Sequence, residues 1–194
     1  MGENKLTGLF FGSFNPVHVG HLVIANYMLE YTEIKELWFI VSPQNPFKEK
    51  KLLAPEYHRL EMVRLAIGEN NKMKASDIEF KMPKPSYTID TLAYLKDKFP
   101  KRDFALIMGA DNLKSFEKWK NFEQILNNSP LLVYPRIGFT NSNIELKGDI
   151  RNTEAPVIEI SSTFIREGIK MGKDLRFYLN DKVYEYITDC GLYK

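Results

Sequence analysis

The sequence predicts an α/β fold built on an open, mostly parallel sheet with helices on both faces. Short apolar runs alternate with segments of helical periodicity along the 194-residue chain. Most of these runs are apolar at successive positions, so both faces of the strands are expected to be covered by helices. The length suits one hydrophobic core, and we expect a single domain over residues 1–194.

Six short apolar runs predict the strands, which cover residues 6–11, 37–41, 78–82, 104–108, 131–134 and 157–160. Helices are expected where apolar residues recur every three or four positions, over residues 20–31 and 55–67. Two more helices are expected after capping residues, from Thr88 to residue 99 and from Ser162 onward. The polar, lysine-rich residues 44–53 predict a loop, and residues 136–154 a loop with an irregular strand.

Composition and charge exclude several classes of protein. Charged residues make up 27% of the chain but the net charge is only +2, so no overall field favours nucleic acid or an anionic membrane. No segment has the apolar length of a signal peptide or membrane span. The single cysteine, Cys190, excludes an intrachain disulfide and suits a reducing compartment. A cytoplasmic protein is expected, and its oligomeric state is left open, with a homo-oligomer as one option.

Residues 12–21 join the first predicted strand to the first predicted helix, where open α/β sheets bind ligands. Gly12 and Ser13 allow the backbone to approach a phosphate closely, and a helix start offers unpaired N–H groups and a positive dipole end. His18 and His21 are three residues apart, so in a first helical turn they face the same side and can bind phosphate oxygens. The pattern predicts a nucleotide phosphate site.

Two other interpretations of the histidine pair are open. A zinc site would need further ligands, and no Cys, Asp or Glu nearby completes a set. The two imidazoles could also be ordinary surface groups. The glycine-containing turn favours the phosphate site, in which Gly20 leaves room for a base or sugar. The third histidine, His58, is expected to be structural or solvated.

The segment resembles the H-x-G-H signature of the nucleotidyltransferase superfamily, which also includes class I aminoacyl-tRNA synthetases. This resemblance implies a Rossmann-like nucleotidyltransferase fold. It also implies that His18 and His21 contact the ATP phosphates and stabilise the transition state for attack at the α-phosphorus. Residues 160–166, Ile-Ser-Ser-Thr-Phe-Ile-Arg, look like the second signature of the superfamily, I-S-S-T-x-x-R. Its hydroxyls and the Arg166 guanidinium suit the β- and γ-phosphates, although Ser-Ser-Thr is also common capping chemistry.

Three middle segments resemble those of bacterial nicotinate mononucleotide adenylyltransferases. Residues 85–91 contain the P-S-Y-T-x-D-T pattern, residues 109–111 the G-A-D and residues 118–119 the K-W of that family. The resemblance implies that Asp111 contacts the ATP ribose and that Trp119 stacks on the nicotinate ring. Each pattern has a structural alternative, because Thr88 could cap a helix, Asp111 could end a strand and Trp119 could be core.

The resemblance implies a complete site. The catalytic residues are expected to be His18, His21 and Arg166. The ATP site is expected to contain Gly12, Ser13, Phe14, Gly20, Asp111, Ile160, Ser161, Ser162 and Thr163. The mononucleotide site is expected to contain Asn15, Lys48, Tyr87, Thr88 and Trp119. No protein-held metal is expected, and Mg²⁺ would enter with ATP, bridging phosphate oxygens.

The chain departs from the family pattern at three positions. Asn15 stands where many members carry Asp, Phe47 replaces a frequent histidine, and Ile137 replaces the proline of an R-P-G turn. None of these departures touches the two signatures. The sequence therefore predicts transfer of AMP from ATP to nicotinate mononucleotide. The rival interpretations are an adenylyltransferase for phosphopantetheine or nicotinamide mononucleotide, and a non-catalytic nucleotide-binding module.

Overall fold

The computed structural model describes residues 5–43, 53–139 and 146–194. The strands in these ranges are β1 (Lys5–Gly12), β2 (Glu36–Val41), β3 (Met73–Ser76), β4 (Arg102–Gly109), β5 (Leu131–Tyr134) and β6 (Ile150–Asn152). The helices are α1 (Val19–Tyr31), α2 (Glu56–Ile67), α3 (Thr88–Lys98), α4 (Ala110–Leu113), α5 (Phe122–Asn128), α6 (Ser162–Lys170) and α7 (Asp181–Asp189).

The strands form one sheet in the order β3-β2-β1-β4-β5-β6, and every pairing is parallel. From β1 the chain first proceeds outward through β2 and β3, then returns to the other side of β1 for β4, β5 and β6. The strand order therefore reverses between β1 and β4. Such a reversal leaves a crevice at the carboxyl ends of the two central strands, where open α/β folds bind ligands.

Alternate side chains of the central strands enter two separate cores. On one face, Phe10 and Phe39 pack with α1, α2, α6 and α7. On the other face, Leu9 and Trp38 pack with α3, α4 and α5. This period-two alternation explains why the strands are apolar at successive positions. The predicted parallel sheet with helices on both faces is confirmed.

Two of the predicted strands are wrong. Residues 78–82 do not form a strand: Ile78–Lys81 is a 3₁₀ helix, and the edge strand β3 comes earlier, at Met73–Ser76. Residues 157–160 also lie outside any strand, because Ile150–Asn152 pairs with β5 instead. Both errors concern the outer strands of the sheet, β3 and β6. Apolar periodicity does not show which of several nearby segments pairs with the last inner strand.

Helix boundaries differ from the predictions by small amounts. The first helix begins at Val19 with His18 as its N-cap, and the third begins at Thr88 with Tyr87, not Thr88, in the capping position. Lys48 and Phe47 lie outside the described residues, as does most of the predicted loop 44–53. No helix in the described ranges is long and apolar enough to cross a membrane.

Candidate active site

A cavity of about 710 Å³ opens at the carboxyl ends of β1 and β4, the point where the strand order reverses. Its size lies within the range of sites for small molecules and cofactors. Nearly all of the described residues that the sequence predicts for the site line this cavity: Gly12, Ser13, Phe14, Asn15, His18, His21, Tyr87, Thr88, Asp111, Trp119, Ile160, Ser161, Ser162, Thr163 and Arg166.

Gly20, predicted for the ATP site, lies directly beneath His18. It is buried under His18, and a Cβ at this position would lie 3.0 Å from the His18 Nδ1 atom. It is not among the residues that line the cavity in the described part of the chain. Glycine at this position therefore leaves room for the imidazole of His18.

The opening turn is shaped by Gly12 and Phe14. Phe14 has a φ of 46°, in the left-handed region that non-glycine residues rarely occupy. Its ring folds back over Gly12, where a Cβ would lie 2.7 Å from the ring Cζ atom. A side chain at position 12 would therefore displace the Phe14 ring, which packs edge-on against His21 at 5.1 Å. The glycine thus permits a compact turn beneath the histidines.

The two histidines form a stacked pair at the start of α1. The backbone N–H of His18 donates to His21 Nδ1 at 3.3 Å. Since Nδ1 of His21 accepts this bond, the neutral His21 ring carries its proton on Nε2. Burial, and secondarily the positive charge of Arg136, lowers the pKa of His18 from 6.5 to about 4. His18 is therefore neutral at pH 7 when no anion is bound.

The second signature is joined directly to the first by hydrogen bonds. Ser162 Oγ donates to the Pro16 carbonyl at 2.9 Å, and Arg166 Nη1 donates to the Asn15 carbonyl at 2.9 Å. Ser161 caps α6 by accepting a bond from the Phe164 N–H at 3.1 Å. The bonds from Ser162 and Arg166 join segments about 150 residues apart in sequence. They place the Arg166 guanidinium and the hydroxyl cluster beside the histidine turn.

The side chain of Asn15 is used within the protein. It is 3% exposed, and its Oδ1 accepts hydrogen bonds from the Ala54 N–H at 3.1 Å and from the Tyr193 hydroxyl at 2.9 Å. Burial raises the pKa of Tyr193, so its hydroxyl stays protonated and donates. This oxygen therefore connects the opening turn to the segment before α2 and to the C-terminal segment.

Several of the described residues that line the cavity have buried polar atoms without a hydrogen-bond partner. Among the described residues there are four such side-chain atoms, and all belong to residues that line it: Ser13 Oγ, His18 Nδ1, Asp111 Oδ1 and Arg136 Nε. Buried polar atoms are nearly always hydrogen-bonded in native proteins, so a cluster of unpaired ones indicates a polar ligand. The Arg136 Nε and Asp111 Oδ1 atoms form an ion pair at 3.6 Å, a distance too long for a hydrogen bond.

The start of α3 and the segment around Trp119 form the other end of the cavity. Trp119 is half-buried and packs against Phe116 at 5.1 Å, so one part of the indole stays open to the cavity. Lys120 pairs with the Asp90 carboxylate at 2.9 Å, and its ammonium lies 4.8 Å from the Tyr87 ring centre. Asp90, the acidic residue in the first turn of α3, is therefore already paired with Lys120.

Sequence reasoning missed a buried carboxylate in the cavity wall. Glu79 is 2% exposed and accepts hydrogen bonds from the Ser86 and Thr91 hydroxyls, both at 2.8 Å. Burial raises its pKa, although the hydroxyl donors act in the opposite direction. An acidic residue between Ile78 and Phe80 was the available signal, which the predicted strand over 78–82 obscured. The carboxylate therefore connects the 3₁₀ helix Ile78–Lys81 to Ser86 and to Thr91 on α3.

Arg59, Arg136 and Lys120 were also missed. Arg59 stands in no motif, and Lys120 directly follows the K-W pattern. Arg136 is the arginine of the R-P-G turn in which Ile137 replaces the proline. His58, expected to be structural or solvated, has its Nδ1 atom 2.8 Å from the Tyr186 hydroxyl, a hydrogen-bonding distance.

Comparison with known proteins gives consistent results. A family model described as cytidylyltransferase-like matches residues 9–168. A protein of Christiangramia forsetii named "Probable nicotinate-nucleotide adenylyltransferase" is 51% identical over 193 residues, covering 98% of this chain and 100% of that protein. A protein of the same name from Flavobacterium johnsoniae is 51% identical over 189 residues, covering 96% and 98%.

Among solved structures, nicotinic acid mononucleotide adenylyltransferase of Plasmodium falciparum has a similar fold. Its complex with NaAD matches with a TM-score of 0.80 at 21% sequence identity, covering 98% of each chain. Its complex with APC matches with a TM-score of 0.77 at 20% identity, again covering 98% of each chain. At this identity the match supports the fold.

Proposed function

Because this chain belongs to the cytidylyltransferase-like family and, within it, to the nicotinate-nucleotide adenylyltransferases, we propose that its cavity transfers AMP from ATP to nicotinate mononucleotide. The enzyme is a nucleotidyltransferase of NAD biosynthesis. A 5′-phosphate oxygen of the mononucleotide attacks the α-phosphorus of ATP and forms the new P–O bond. The bond from the α-phosphorus to the bridging oxygen breaks, and pyrophosphate leaves with that electron pair. The product is nicotinate adenine dinucleotide.

One observation carries the assignment of the reacting groups. The hydrogen bonds from Ser162 and Arg166 to the carbonyls of Pro16 and Asn15 bring both signatures to one cavity. His18, His21 and Arg166 can therefore act on the same triphosphate. The attacking phosphate is already anionic, so no protein nucleophile is needed, and the protein contributes positioning and electrostatic stabilisation.

The protonation of the histidines follows from the geometry. His21 presents Nε2–H as a donor, because its Nδ1 accepts the His18 N–H. His18 is neutral in the free protein, and a bound triphosphate would favour its protonated form by adding negative charge nearby. Charge of this kind develops further as pyrophosphate leaves. The pair would thus oppose the charge on the leaving group.

The remaining predicted residues divide between the two substrates. Asp111, on α4 directly after β4, would bind ATP, with the hydroxyl-rich start of α6 at the β- and γ-phosphates. Tyr87, Thr88 and Trp119 would hold the mononucleotide, with the half-exposed indole against the pyridine ring. We propose that residues 1–194 make up one nucleotidyltransferase domain that contains both subsites.

Mg²⁺ fits this site as a companion of ATP. Among the described residues there is no group of three His, Cys, Asp or Glu side chains arranged to hold a metal ion. An ion held mainly by phosphate oxygens needs few protein ligands, which matches this donor set. When bound, Mg²⁺ would neutralise charge on the phosphates.

The decisive test is pyrophosphate release from ATP with three acceptors compared side by side. These are nicotinate mononucleotide, nicotinamide mononucleotide and phosphopantetheine, each with Mg²⁺ present. Release that is fastest with nicotinate mononucleotide supports the proposal. Fastest release with another acceptor would reassign the substrate, and nucleotide binding without release from any of them would indicate a non-catalytic module.

A further inference from the structure

Arg59, on α2, is a buried cation that binds backbone carbonyls around the cavity. It is 1% exposed and is the largest of the fully buried side chains in the described residues. Nη1 donates to the carbonyls of Ser13 and Ser42, each at 2.7 Å. Nη2 donates to Pro43 at 3.0 Å, and Nε donates to Ala54 at 2.9 Å. One guanidinium thus connects the turns after β1 and β2 with the segment before α2.

The bond to Ser13 has a consequence for the next peptide group. The Ser13–Phe14 peptide is trans, so its N–H points away from its carbonyl. Because Arg59 binds the Ser13 carbonyl, the Phe14 N–H points away from Arg59. Both Ser13 and Phe14 line the cavity. The bond therefore holds the Ser13 carbonyl on the Arg59 side of the turn and leaves the Phe14 N–H on the opposite side.

A second observation indicates that this donor serves a ligand. The Ser13 hydroxyl beside it is buried and has no hydrogen-bond partner in the described part of the chain. Neither the Ser13 nor the Phe14 N–H donates to another described residue. Phe14 is also held at a φ of 46°. Successive N–H groups around a left-handed residue form a concave site for anions.

We propose that Arg59 is a positioning residue, which holds the Ser13 carbonyl so that the Phe14 N–H faces a substrate phosphate. The inference rests on the proposed function, because it requires a phosphate at the opening turn. That phosphate belongs either to ATP or to the mononucleotide, and the experiments below distinguish the two. Arg59 itself lies behind the turn and touches backbone only.

The arginine fork is essential to this role, because it binds carbonyls on three segments at once. Lysine keeps the charge but concentrates it on one nitrogen and lacks the planar fork. Arg59→Lys is therefore the informative change. A hydrogen bond to a charged group contributes about 1.5–3 kcal/mol, so losing the aligned donor should weaken phosphate binding by roughly ten- to hundred-fold.

The control is Arg64→Lys, on the same helix. Arg64 is exposed and pairs with Glu61 at 3.4 Å, away from the cavity. KM and kcat are measured for each substrate with the other saturating, and melting temperatures are compared. We expect Arg59→Lys to raise the KM of ATP or of nicotinate mononucleotide by roughly ten- to hundred-fold while the protein stays folded. The substrate whose KM rises more is the one whose phosphate lies at the Phe14 N–H. Arg64→Lys should match the wild type.

A titration of the isotope-labelled protein followed by NMR tests the same contact without turnover. Pyrophosphate, ATP and nicotinate mononucleotide are added separately, and the Phe14 amide signal should shift strongly in the wild type and weakly in Arg59→Lys. A folded lysine variant with wild-type constants, or a Phe14 amide that responds to none of the three, would overturn the inference. So would a lysine variant that does not fold, since Arg59 would then be needed for the fold itself. Absence of pyrophosphate release by a wild type whose Phe14 amide responds would instead overturn the proposed function.

Discussion

The imidazole rings of His18 and His21 are stacked, with their centres 3.7 Å apart and an angle of 29° between their planes. Two cations at this distance would repel each other, so the stack favours at most one charge in the free protein. His18 is 6% exposed, whereas His21 is half-buried. The pair thus combines a neutral, buried ring with a more accessible one, and the first two predictions follow from this arrangement.

The first prediction is a pH dependence of stability due to His18. Burial lowers its pKa from 6.5 to about 4, so between these values the unfolded chain binds a proton that the folded chain does not. The free energy of unfolding should therefore fall as the pH is lowered from 6.5 to 4 and level off below. At about 1.36 kcal/mol per pKa unit, the His18 contribution is roughly 3 kcal/mol. Chemical denaturation of the wild type and of His18→Gln at several pH values measures this contribution. If the free energies of unfolding of the two proteins change equally with pH, the prediction is contradicted.

The second prediction concerns turnover. His18→Ala should lower kcat by roughly a hundred- to ten-thousand-fold, because a contact to developing phosphate charge is lost. His58→Ala is the matched control, since His58 interacts with Tyr186 and does not line the cavity. Its kcat should stay close to that of the wild type. Retention of a tenth or more of wild-type kcat by His18→Ala would remove His18 from the reaction.

The third prediction assigns Trp119 to the mononucleotide. Stacking on an aromatic side chain is worth about 1–3 kcal/mol per base, so Trp119→Ala should raise the KM of nicotinate mononucleotide roughly ten- to hundred-fold. The KM of ATP should change little. Tyr94→Ala serves as the control, because it removes an exposed aromatic group on α3 that does not line the cavity. A large fall in melting temperature with both KM values unchanged would show that Trp119 is a core residue.

The fourth prediction is a preference for the acid over the amide mononucleotide. The first turn of α3 at Thr88 offers N–H donors and a positive dipole end, which suit a carboxylate. Lys120 occupies the Asp90 carboxylate, which would otherwise accept a bond from the amide. We expect kcat/KM to favour the acid by at least about a hundred-fold.

Lys120→Met should reduce this preference, by about ten-fold, because it releases the Asp90 carboxylate and removes a positive charge. Lys96→Met breaks a comparable surface pair, with Asp103 at 3.0 Å, and should leave the ratio unchanged. Equal efficiencies for the two mononucleotides in the wild type would exclude a carboxylate-reading site at Thr88.

The fifth prediction uses the buried Glu79. Since burial raises its pKa above 4.5, the folded state holds a proton that the unfolded state releases between 4.5 and the raised value. Relative to Glu79→Gln, the wild type should therefore gain stability as the pH falls through this window, the opposite sign to His18. Denaturation curves of both proteins across this range measure the difference. A pH-independent difference would show that the folded and unfolded pKa values are equal.

The sequence by itself determined the α/β class, the central strands and both signature turns. These features are local: an apolar run buried on both faces, or a glycine turn before a helix, leaves its pattern within about ten residues. The paired signatures also indicated the reaction. Positions such as Asp111 and Trp119 could be selected because short motifs surround them.

Only the tertiary structure decided which segments form the sheet edges and which polar groups are desolvated. Residues 157–160 look like a strand, yet Ile150–Asn152 reaches the free edge of β5. Glu79, Arg59 and Tyr193 stand in ordinary local sequence. Glu79 lines the cavity, whereas Arg59 and Tyr193 hold the cavity-lining residues Ser13 and Asn15 from behind. The neutral state of His18 likewise depends on the residues that bury it. Strand pairing and desolvation are set by contacts between distant parts of the chain, which local periodicity does not encode.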